Sequence, residues 1–253
     1  MAGMTDDLFR QDAYLRECSA HITAVTEAGI VLDRTVFYPL GGGQAGDSGV
    51  LVLADGTEIA IADTRKGKDA EGNATNNIVH VPAPGQEALL AALAPGTTVT
   101  ARIDWERRHR MMRLHTTSHL LCHVVPQLVN GCSITPDYAR LDFAMTDPLD
   151  KEQLTAAIAA MVAAAHPLTV ASISDEELDA NPALVKSMSV QPPRGTGRIR
   201  TIRIGGEGDA PLIDLQPCGG THVANTAEIG AIVVTKIEKK SATTRRVVLG
   251  FAP

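Results

Sequence analysis

The chain has 253 residues, of which 44% are hydrophobic, 21% charged and 3% aromatic. This apolar content supports a buried core and argues against intrinsic disorder, and the length allows one large or two medium domains. The formal net charge of −6 on average disfavours a nucleic-acid partner.

Charge is unevenly distributed along the chain. From Lys186 to the end there are ten Lys or Arg and five Asp or Glu residues, a balance of +5, whereas the preceding residues carry −11. A basic C-terminal third on an acidic protein is suited to local contact with a phosphate backbone. On charge alone, a solvated charged face is the commoner explanation.

The cysteines and the first residues favour a cytoplasmic protein without a membrane partner. The cysteines show no paired spacing, so we expect free thiols or a metal-bound thiolate rather than a disulfide framework; they are Cys18, Cys122, Cys132 and Cys218. The acidic start lacks the pattern of a secretory signal, and the most apolar stretch, 155–166, is too short to cross a bilayer. The oligomeric state is left open.

The first hundred residues predict a small antiparallel β-barrel. Residues 18–63 alternate apolar and polar side chains, with hairpin signals at Ala28-Gly29 and Asp55-Gly56. A loop is predicted over 64–77, and further strands at 78–82 and from Thr98. Short strands at regular spacing are typical of a barrel, which we assign to residues 1–103.

The pattern changes at Asp104 and predicts an α+β domain over 104–253. Residues 105–129 contain no glycine and predict a helix that Asp104 caps. A second helix is predicted over 150–165, and a third, from Asp175, is interrupted near Pro182. Strands are predicted between and after these helices, and helices packed on a sheet make an α+β fold. The predicted strands are 141–145, 168–174, 198–205, 211–217, 230–240 and 245–252.

Two histidines lie four residues apart within the predicted first helix of this domain. His115 and His119 share one helical face and are close enough to bind one metal ion, and His123 extends the row by a turn. Taken alone, a polar stripe on a half-exposed helix explains them equally well.

A second pair of potential ligands follows a hundred residues later. Cys218 and His222 enclose two glycines, which permit a compact turn that aims both side chains at one point. Cysteine and histidine are the ligands that zinc prefers, and the two pairs together favour zinc over a buried free thiol at Cys218.

A glycine-rich segment lies within the predicted barrel. Residues 37–49 read FYPLGGGQAGDSG, and such loops bring backbone N–H groups to a phosphate or a carbonyl. No lysine and helix follow, so a nucleotide-binding P-loop is not predicted. We interpret the segment as a functional loop in preference to a plain hairpin turn.

Together these stretches resemble one family, the freestanding alanyl-tRNA editing proteins of the AlaX type, which are similar to the editing domain of alanyl-tRNA synthetase. The matching stretches are TVFYPLGGGQAGDSG, IDWERRHRMMRLHTTSHLL, ARLDF and CGGTHVANTAEIGAIVVTKIEKK. They run from residue 35 to about residue 246, and the ordered pair HTTSH and CGGTH is the specific feature. The segment KKSATTRRVV departs from the family pattern.

The resemblance implies a fold, a metal site and a reaction. It implies a small barrel followed by a zinc-containing editing domain, with zinc held by His115, His119, Cys218 and His222. The implied activity is hydrolysis, in trans, of a tRNA for alanine mischarged with serine, with glycine as a further candidate. Zinc would polarise a carbonyl, supply a bound hydroxide or shape the pocket.

Further site residues are predicted with less specific signals. Ser118, Thr135 and Gln44 are assigned to the catalytic site. Ser118, Thr135 or Ser133 could sense the serine hydroxyl, although each hydroxyl could instead bond its own backbone. Substrate contacts are assigned to the loop glycines and to basic residues of the second domain. They are Gly41, Gly42, Gly43, Arg140, Arg245 and Arg246, with Lys236, Lys239 and Lys240 as further phosphate contacts.

Two alternatives stay open at this point. The same fold could deacylate a different mischarged tRNA or a small seryl ester, or it could be a zinc-stabilised RNA-binding module without catalysis. Removal of a structural zinc would unfold the domain, whereas removal of a substrate-site zinc would abolish activity and leave the fold intact.

Overall fold

The structure is a computed structural model that describes residues 4–69, 71–192, 197–206, 208 and 210–253. Strands and helices are both present in them, so the predicted α+β class is confirmed. The strands are β1 Asp6–Asp7, β2 Glu17–Thr26, β3 Gly29–Leu32, β4 Arg34–Thr35, β5 Gly49–Leu53, β6 Glu58–Lys68, β7 Ala74–Pro82, β8 Thr98–Ile103, β9 Val129–Ile134, β10 Tyr138–Ala144, β11 Leu168–Ile173, β12 Ile199–Gly205, β13 Leu212–Pro217, β14 Ile232–Ser241 and β15 Thr244–Phe251. The α-helices are α1 Glu87–Ala91, α2 Trp105–Val124, α3 Lys151–Ala163 and α4 Asp175–Ala180, and 3-10 turns cover Leu8–Arg10, Pro182–Leu184 and Thr226–Ile229.

The chain divides into two compact units. The first comprises residues 1–41 and 45–109, and the second comprises 42–44 and 110–253. The division falls inside α2, six residues after the boundary predicted from the sequence, and it assigns three residues of the glycine-rich segment to the second unit.

The first unit contains a six-stranded sheet whose hydrogen-bonded order closes on itself. The order is β2-β3-β7-β6-β5-β8, with β8 pairing back to β2. Aliphatic side chains fill its core because the strands alternate in and out; Ile22, Leu51 and Ile59 are buried there. Both predicted hairpins are present, since β2 pairs with β3 and β5 with β6.

The loop predicted over 64–77 is wrong for most of its length. β6 continues to Lys68 and β7 begins at Ala74, and the two strands pair as a polar hairpin. The turn between them is held by Asp69, whose carboxylate accepts the Asn73 amide at 2.7 Å. The sequence did not predict these strands, because strand prediction depends on alternating apolar and polar residues and this polar hairpin has little such alternation.

The second unit contains two sheets and most of the helical residues. One sheet has the order β14-β15-β10-β9 and the other β11-β12-β13. Asp150 caps α3 as predicted, accepting the Gln153 amide at 2.8 Å. The predicted interruption near Pro182 is also present, because α4 ends at Ala180 before a 3-10 turn.

The long helix α2 starts as predicted and ends earlier. The Asp104 carboxylate accepts the Arg107 amide at 3.1 Å at its start. The helix ends at Val124 rather than at 129, because Pro126 has no N–H to continue the helical hydrogen bonds. Within the described residues, no helix is both long and apolar enough to span a membrane.

Candidate metal centre

Four side chains from two distant segments meet in the second unit. His115 and His119 project from α2, and Cys218 and His222 lie in the turn that follows β13. One potential ligand atom of each lies within 4.8 Å of those of the others, and this group could hold a metal ion. His123, which extended the predicted row, is exposed and does not belong to the group.

The spacing of these atoms fits a small tetrahedral ion. Cys218 Sγ lies 3.5 Å from His115 Nε2 and 3.3 Å from His222 Nε2. In a tetrahedral site with zinc–nitrogen bonds of about 2.0–2.1 Å and zinc–sulfur bonds of about 2.3 Å, neighbouring ligand atoms lie roughly 3.3–3.6 Å apart. The donor set and the spacing therefore both fit zinc.

Each histidine of the group has a polar partner at its Nδ1 atom. His115 Nδ1 lies 2.7 Å from Gln44 Oε1, and His119 Nδ1 lies 2.7 Å from Asp214 Oδ2. His222 Nδ1 lies 3.2 Å from Thr116 Oγ1. An Nδ1 that donates outward fixes the ring orientation and leaves Nε2 free to bind a metal, as is usual for metal-binding histidines.

The His119 partner is a fully buried carboxylate with further contacts. Asp214 also forms an ion pair with Lys186 and accepts the Gln216 side-chain amide at 2.8 Å. Burial alone would raise the pKa of Asp214, but the hydrogen bond from His119 and the Lys186 charge lower it to about 2. Burial lowers the pKa of His119, whereas its hydrogen bonds with Asp214 and Cys218 raise it to about 9.

The thiol of Cys218 is placed to ionise. Its burial raises the pKa, but the neighbouring His115 and His222 outweigh burial and hold the pKa of this thiol well below its usual value. The thiolate is the form that binds metals, so the electrostatics and the geometry both favour Cys218 as a metal ligand.

The turn that carries Cys218 and His222 is stabilised by hydrogen bonds from Arg200 and requires a glycine at position 220. The Arg200 guanidinium donates to the carbonyl oxygens of Cys218 at 2.6 Å and of Gly220 at 3.1 Å. A Cβ on Gly220 would lie 2.2 Å from His115 Cε1, much closer than real side-chain contacts. Only glycine allows the turn to pass this close to the histidine ring.

Gln44 connects the glycine-rich segment to the four candidate ligands His115, His119, Cys218 and His222, called the metal group below. It is completely buried, its side-chain amide nitrogen donates to Thr221 Oγ1 at 2.9 Å, and its Oε1 accepts the Thr221 amide at 3.1 Å. Because the same Oε1 faces His115, Gln44 fixes both a histidine and the turn. The contacts show Gln44 orienting a candidate ligand, and the catalytic role assigned from the sequence stays a prediction.

The three loop glycines have different surroundings. The Gly41 carbonyl accepts the Tyr38 hydroxyl at 2.8 Å in the first unit, whereas Gly42 and Gly43 pack against β9 in the second. Gly43 has a φ of 85°, and a Cβ there would lie 2.3 Å from Cys132 Sγ. Close packing explains Gly43, and substrate binding by the glycines stays a prediction.

The two hydroxyls assigned to the catalytic site, those of Ser118 and Thr135, are bonded locally. Ser118 is buried in α2 and donates to the Leu114 carbonyl at 2.9 Å. Thr135 Oγ1 donates to the Tyr138 carbonyl at 3.0 Å and accepts the amides of Asp137 and Tyr138. Ser133 lies on β9 opposite Arg140. The described contacts do not link these three hydroxyls to the metal group.

The basic residues assigned to substrate binding are largely engaged within the protein. The Arg245 side chain is buried and donates to the backbone carbonyls of Ser241, Thr244 and Thr146. Arg246 forms two hydrogen bonds with Asp142, at 2.6 and 2.7 Å, and Arg140 pairs with the same carboxylate at 3.2 Å. Lys236 pairs with Glu238, whereas Lys239 and Lys240 are exposed. Arg245 thus has a structural role that the sequence did not indicate.

Sequence reasoning missed the residues that support the candidate ligands. Asp214 and Lys186 were not singled out, and neither was Thr116, although it is adjacent to His115. The one available signal was an aspartate in the otherwise apolar segment LIDL shortly before Cys218. A charged side chain inside a predicted strand requires a buried partner, but its identity depends on the fold.

Comparisons with known proteins agree with these features. The family model described as "Threonyl and Alanyl tRNA synthetase second additional domain" matches residues 199–248, which include Cys218 and His222. The model described as "tRNA synthetases class II (A)" matches residues 10–107. The chain is therefore related to domains of aminoacyl-tRNA synthetases.

Full-length relatives define the family more narrowly. The alanyl-tRNA editing protein AlaX-M of Saccharolobus solfataricus is 32% identical over 99% of this chain and 100% of that protein. The protein of the same name from Methanosarcina acetivorans is 32% identical over 96% of this chain and 97% of its own length. The alanine–tRNA ligase of Hyperthermus butylicus is 35% identical over 93% of this chain, which corresponds to 24% of the ligase. The chain belongs to the alanyl-tRNA editing protein family, of the AlaX-M type.

Proposed function

We propose that this protein is a zinc-dependent aminoacyl-tRNA deacylase that edits in trans. Its substrate is tRNA for alanine that carries serine, with glycine as a further candidate, and the bond that breaks is the ester to the terminal ribose. The observation that carries this proposal is the group of His115, His119, Cys218 and His222 in a chain whose full-length relatives are named alanyl-tRNA editing proteins.

The chain's own residues would bind and orient the metal. Three histidine Nε2 atoms and the Cys218 thiolate are the candidate donors, and Gln44, Asp214 and Thr116 hold the rings. When bound, zinc supplies Lewis-acid polarisation of a carbonyl or a fixed charge that orients the substrate. Four protein donors are the usual number for a structural zinc site, so hydrolysis with direct help from the metal requires one donor to loosen or the coordination to expand.

The substrate would approach from the Cys218 side of the group. The three histidines are buried, whereas Cys218 is half-buried and the adjacent Gly219 is exposed. Burial on the remaining sides limits the access of water to the ester. Discrimination against alanine would depend on hydrogen bonds to the serine hydroxyl, because a site built for a hydroxyl rejects an analogue without it by up to about 10⁴–10⁵-fold.

Deacylation assays on three charged forms of tRNA for alanine test the proposal. The purified protein is incubated with the seryl, glycyl and alanyl forms, and we expect rapid loss of serine and retention of alanine. Binding of tRNA without hydrolysis of any form would favour the RNA-binding module, and hydrolysis confined to another charged tRNA would favour the different substrate.

Zinc analysis tests the proposed ligands. We expect about one zinc per chain in the purified protein and a much lower zinc content in Cys218→Ala.

A further inference from the structure

Two arginines converge on one aromatic ring at the end of the larger sheet in the second unit. Arg110 and Arg113 are one turn apart on α2 and therefore share a face of this helix. The Arg110 guanidinium carbon lies 4.1 Å from the centre of the Phe251 ring, and that of Arg113 lies 4.6 Å from it. Both side chains are half-buried.

Backbone groups hold these arginines in place. Arg110 Nε donates to the Pro136 carbonyl at 2.7 Å, and Arg113 Nε donates to the Ile229 carbonyl at 2.7 Å. Gly230 has a φ of 65°, and a Cβ there would lie 2.9 Å from a terminal nitrogen of Arg113. The side chains are thus fixed through Nε and through the ring, and within the described part of the chain no hydrogen bond engages their terminal nitrogens.

Negative charge near the two arginines is sparse among the described residues. The nearest carboxylate oxygen, from Asp137, lies 3.8 Å from Arg110 on a side chain that is 83% exposed, so solvent screens it. Arg113 has no ion pair within the described part of the chain. Two neighbouring guanidinium groups repel each other, and attraction to the ring offsets only part of this cost. An anion between them would lower the energy of the arrangement.

We propose that Arg110 and Arg113 form a phosphate-binding site for the sugar–phosphate backbone of the tRNA. Guanidinium groups match phosphate oxygens with paired hydrogen bonds, and fixed side chains lose less entropy when they bind. Phe251 serves as the platform for both groups. The proposal rests on the proposed function, which supplies an RNA partner, and it concerns a surface other than the metal group.

The two sites lie on different faces of α2. At 3.6 residues per turn, Arg113 and His115 point about 160° apart around the helix axis. Replacement of the arginines should therefore leave the metal group intact, and RNA binding can be measured separately from metal binding and from deacylation.

Salt-dependent binding of uncharged tRNA for alanine tests the site. The double variant Arg110→Gln/Arg113→Gln is compared with the wild type and with Arg65→Gln/Arg102→Gln, which removes two exposed, ion-paired arginines and the same net charge. Each phosphate contact adds about one unit to the slope of log Kobs against log salt concentration, so we expect the first variant to lose about two units and the control to lose none. Arg110→Lys/Arg113→Lys, which keeps the charges, should retain most of the slope.

Equal slopes in Arg110→Gln/Arg113→Gln and in the control would overturn the proposal. Zinc content and the thermal midpoint are recorded for each variant, and if the double variant does not fold, Arg110→Gln alone should lose about one unit. Deacylation by the wild type is followed in parallel. Normal deacylation with unchanged slopes refutes the arginine site alone, whereas no deacylation of any charged tRNA refutes the proposed function.

Discussion

His119 is oriented by a carboxylate from a different part of the chain. Asp214 lies on β13, is completely buried and faces both His119 and Lys186. A buried carboxylate without partners would be costly, and here the histidine and the lysine compensate for the lost hydration. The His119–Asp214 contact resembles the carboxylate–histidine pairs that commonly support metal ligands.

We expect Asp214→Asn to weaken metal binding. The amide can still accept a hydrogen bond from His119, but it lacks the charge that makes the ring a better donor to a metal and leaves Lys186 without its anion. Metal affinity, measured by competition with a chromophoric chelator, should fall roughly 10–100-fold. Asp142→Asn is the matched control, because it removes a carboxylate that pairs with Arg246 instead. Equal affinity in the Asp214→Asn variant and the wild type would rule out this role for Asp214.

Thr135 provides a test of how serine is sensed. Its hydroxyl makes three hydrogen bonds within its own turn, so Thr135→Val should destabilise the protein by about 1 kcal/mol. On this geometry, deacylation of seryl- and glycyl-tRNA should fall by similar factors. A fall confined to seryl-tRNA would contradict the turn role and support the hydroxyl-sensing role predicted from the sequence.

At this site, the sequence predicts the residues that have a partner only a few positions away in the chain. His115 with His119 and Cys218 with His222 are each four positions apart, and such spacing places two side chains together in a helix or a tight turn. Gln44 lies 71 positions from His115, and Asp214 lies 95 positions from His119. No local rule relates residues so far apart, and only the folded chain brings them into contact.

At the level of elements, the turn after β13 is shaped by one glycine. We expect Gly220→Ala to displace either His115 or the turn, because the added Cβ would lie 2.2 Å from the histidine ring. Zinc content measured by mass spectrometry should fall well below one per chain. Gly131→Ala is the control, since the nearest atom to its Cβ would be 3.9 Å away. Full zinc occupancy in Gly220→Ala would show that the turn adapts and that the close approach is not required.

Helix starts could be predicted from the sequence more accurately than the extents of polar strands. Asp104 and Asp150 are capping residues whose side chains accept backbone amides, and this signal is local. The polar ends of β6 and β7 carry no comparable signal, because their pairing depends on register with each other rather than on burial. The short helix α1 was missed for a related reason, since it has no buried residue to create periodicity.

For the whole molecule, net charge is a poor guide to which basic side chains are free to bind a phosphate. The C-terminal third carries the positive balance, yet Arg245 is committed to backbone carbonyls and Arg246 to Asp142. Among the described residues, Arg110 and Arg113, which precede that region, make hydrogen bonds through Nε only and leave their terminal nitrogens unbonded. We therefore select candidate phosphate contacts by whether the guanidinium group is free of internal hydrogen bonds, and not by the charge of the sequence region around it.

The second unit contains the four residues of the metal group and the side chains that orient them, including Gln44. We propose that this group hydrolyses mischarged tRNA with zinc. The most direct test measures the initial rate of seryl-tRNA deacylation before chelation, after chelation and after zinc is restored, with circular dichroism recorded at each stage. We predict that activity disappears with the metal, that the fold is retained and that stoichiometric zinc restores the rate. Unchanged activity in protein shown to be free of metal would contradict the claim, as would unfolding upon chelation, which would identify the zinc as structural.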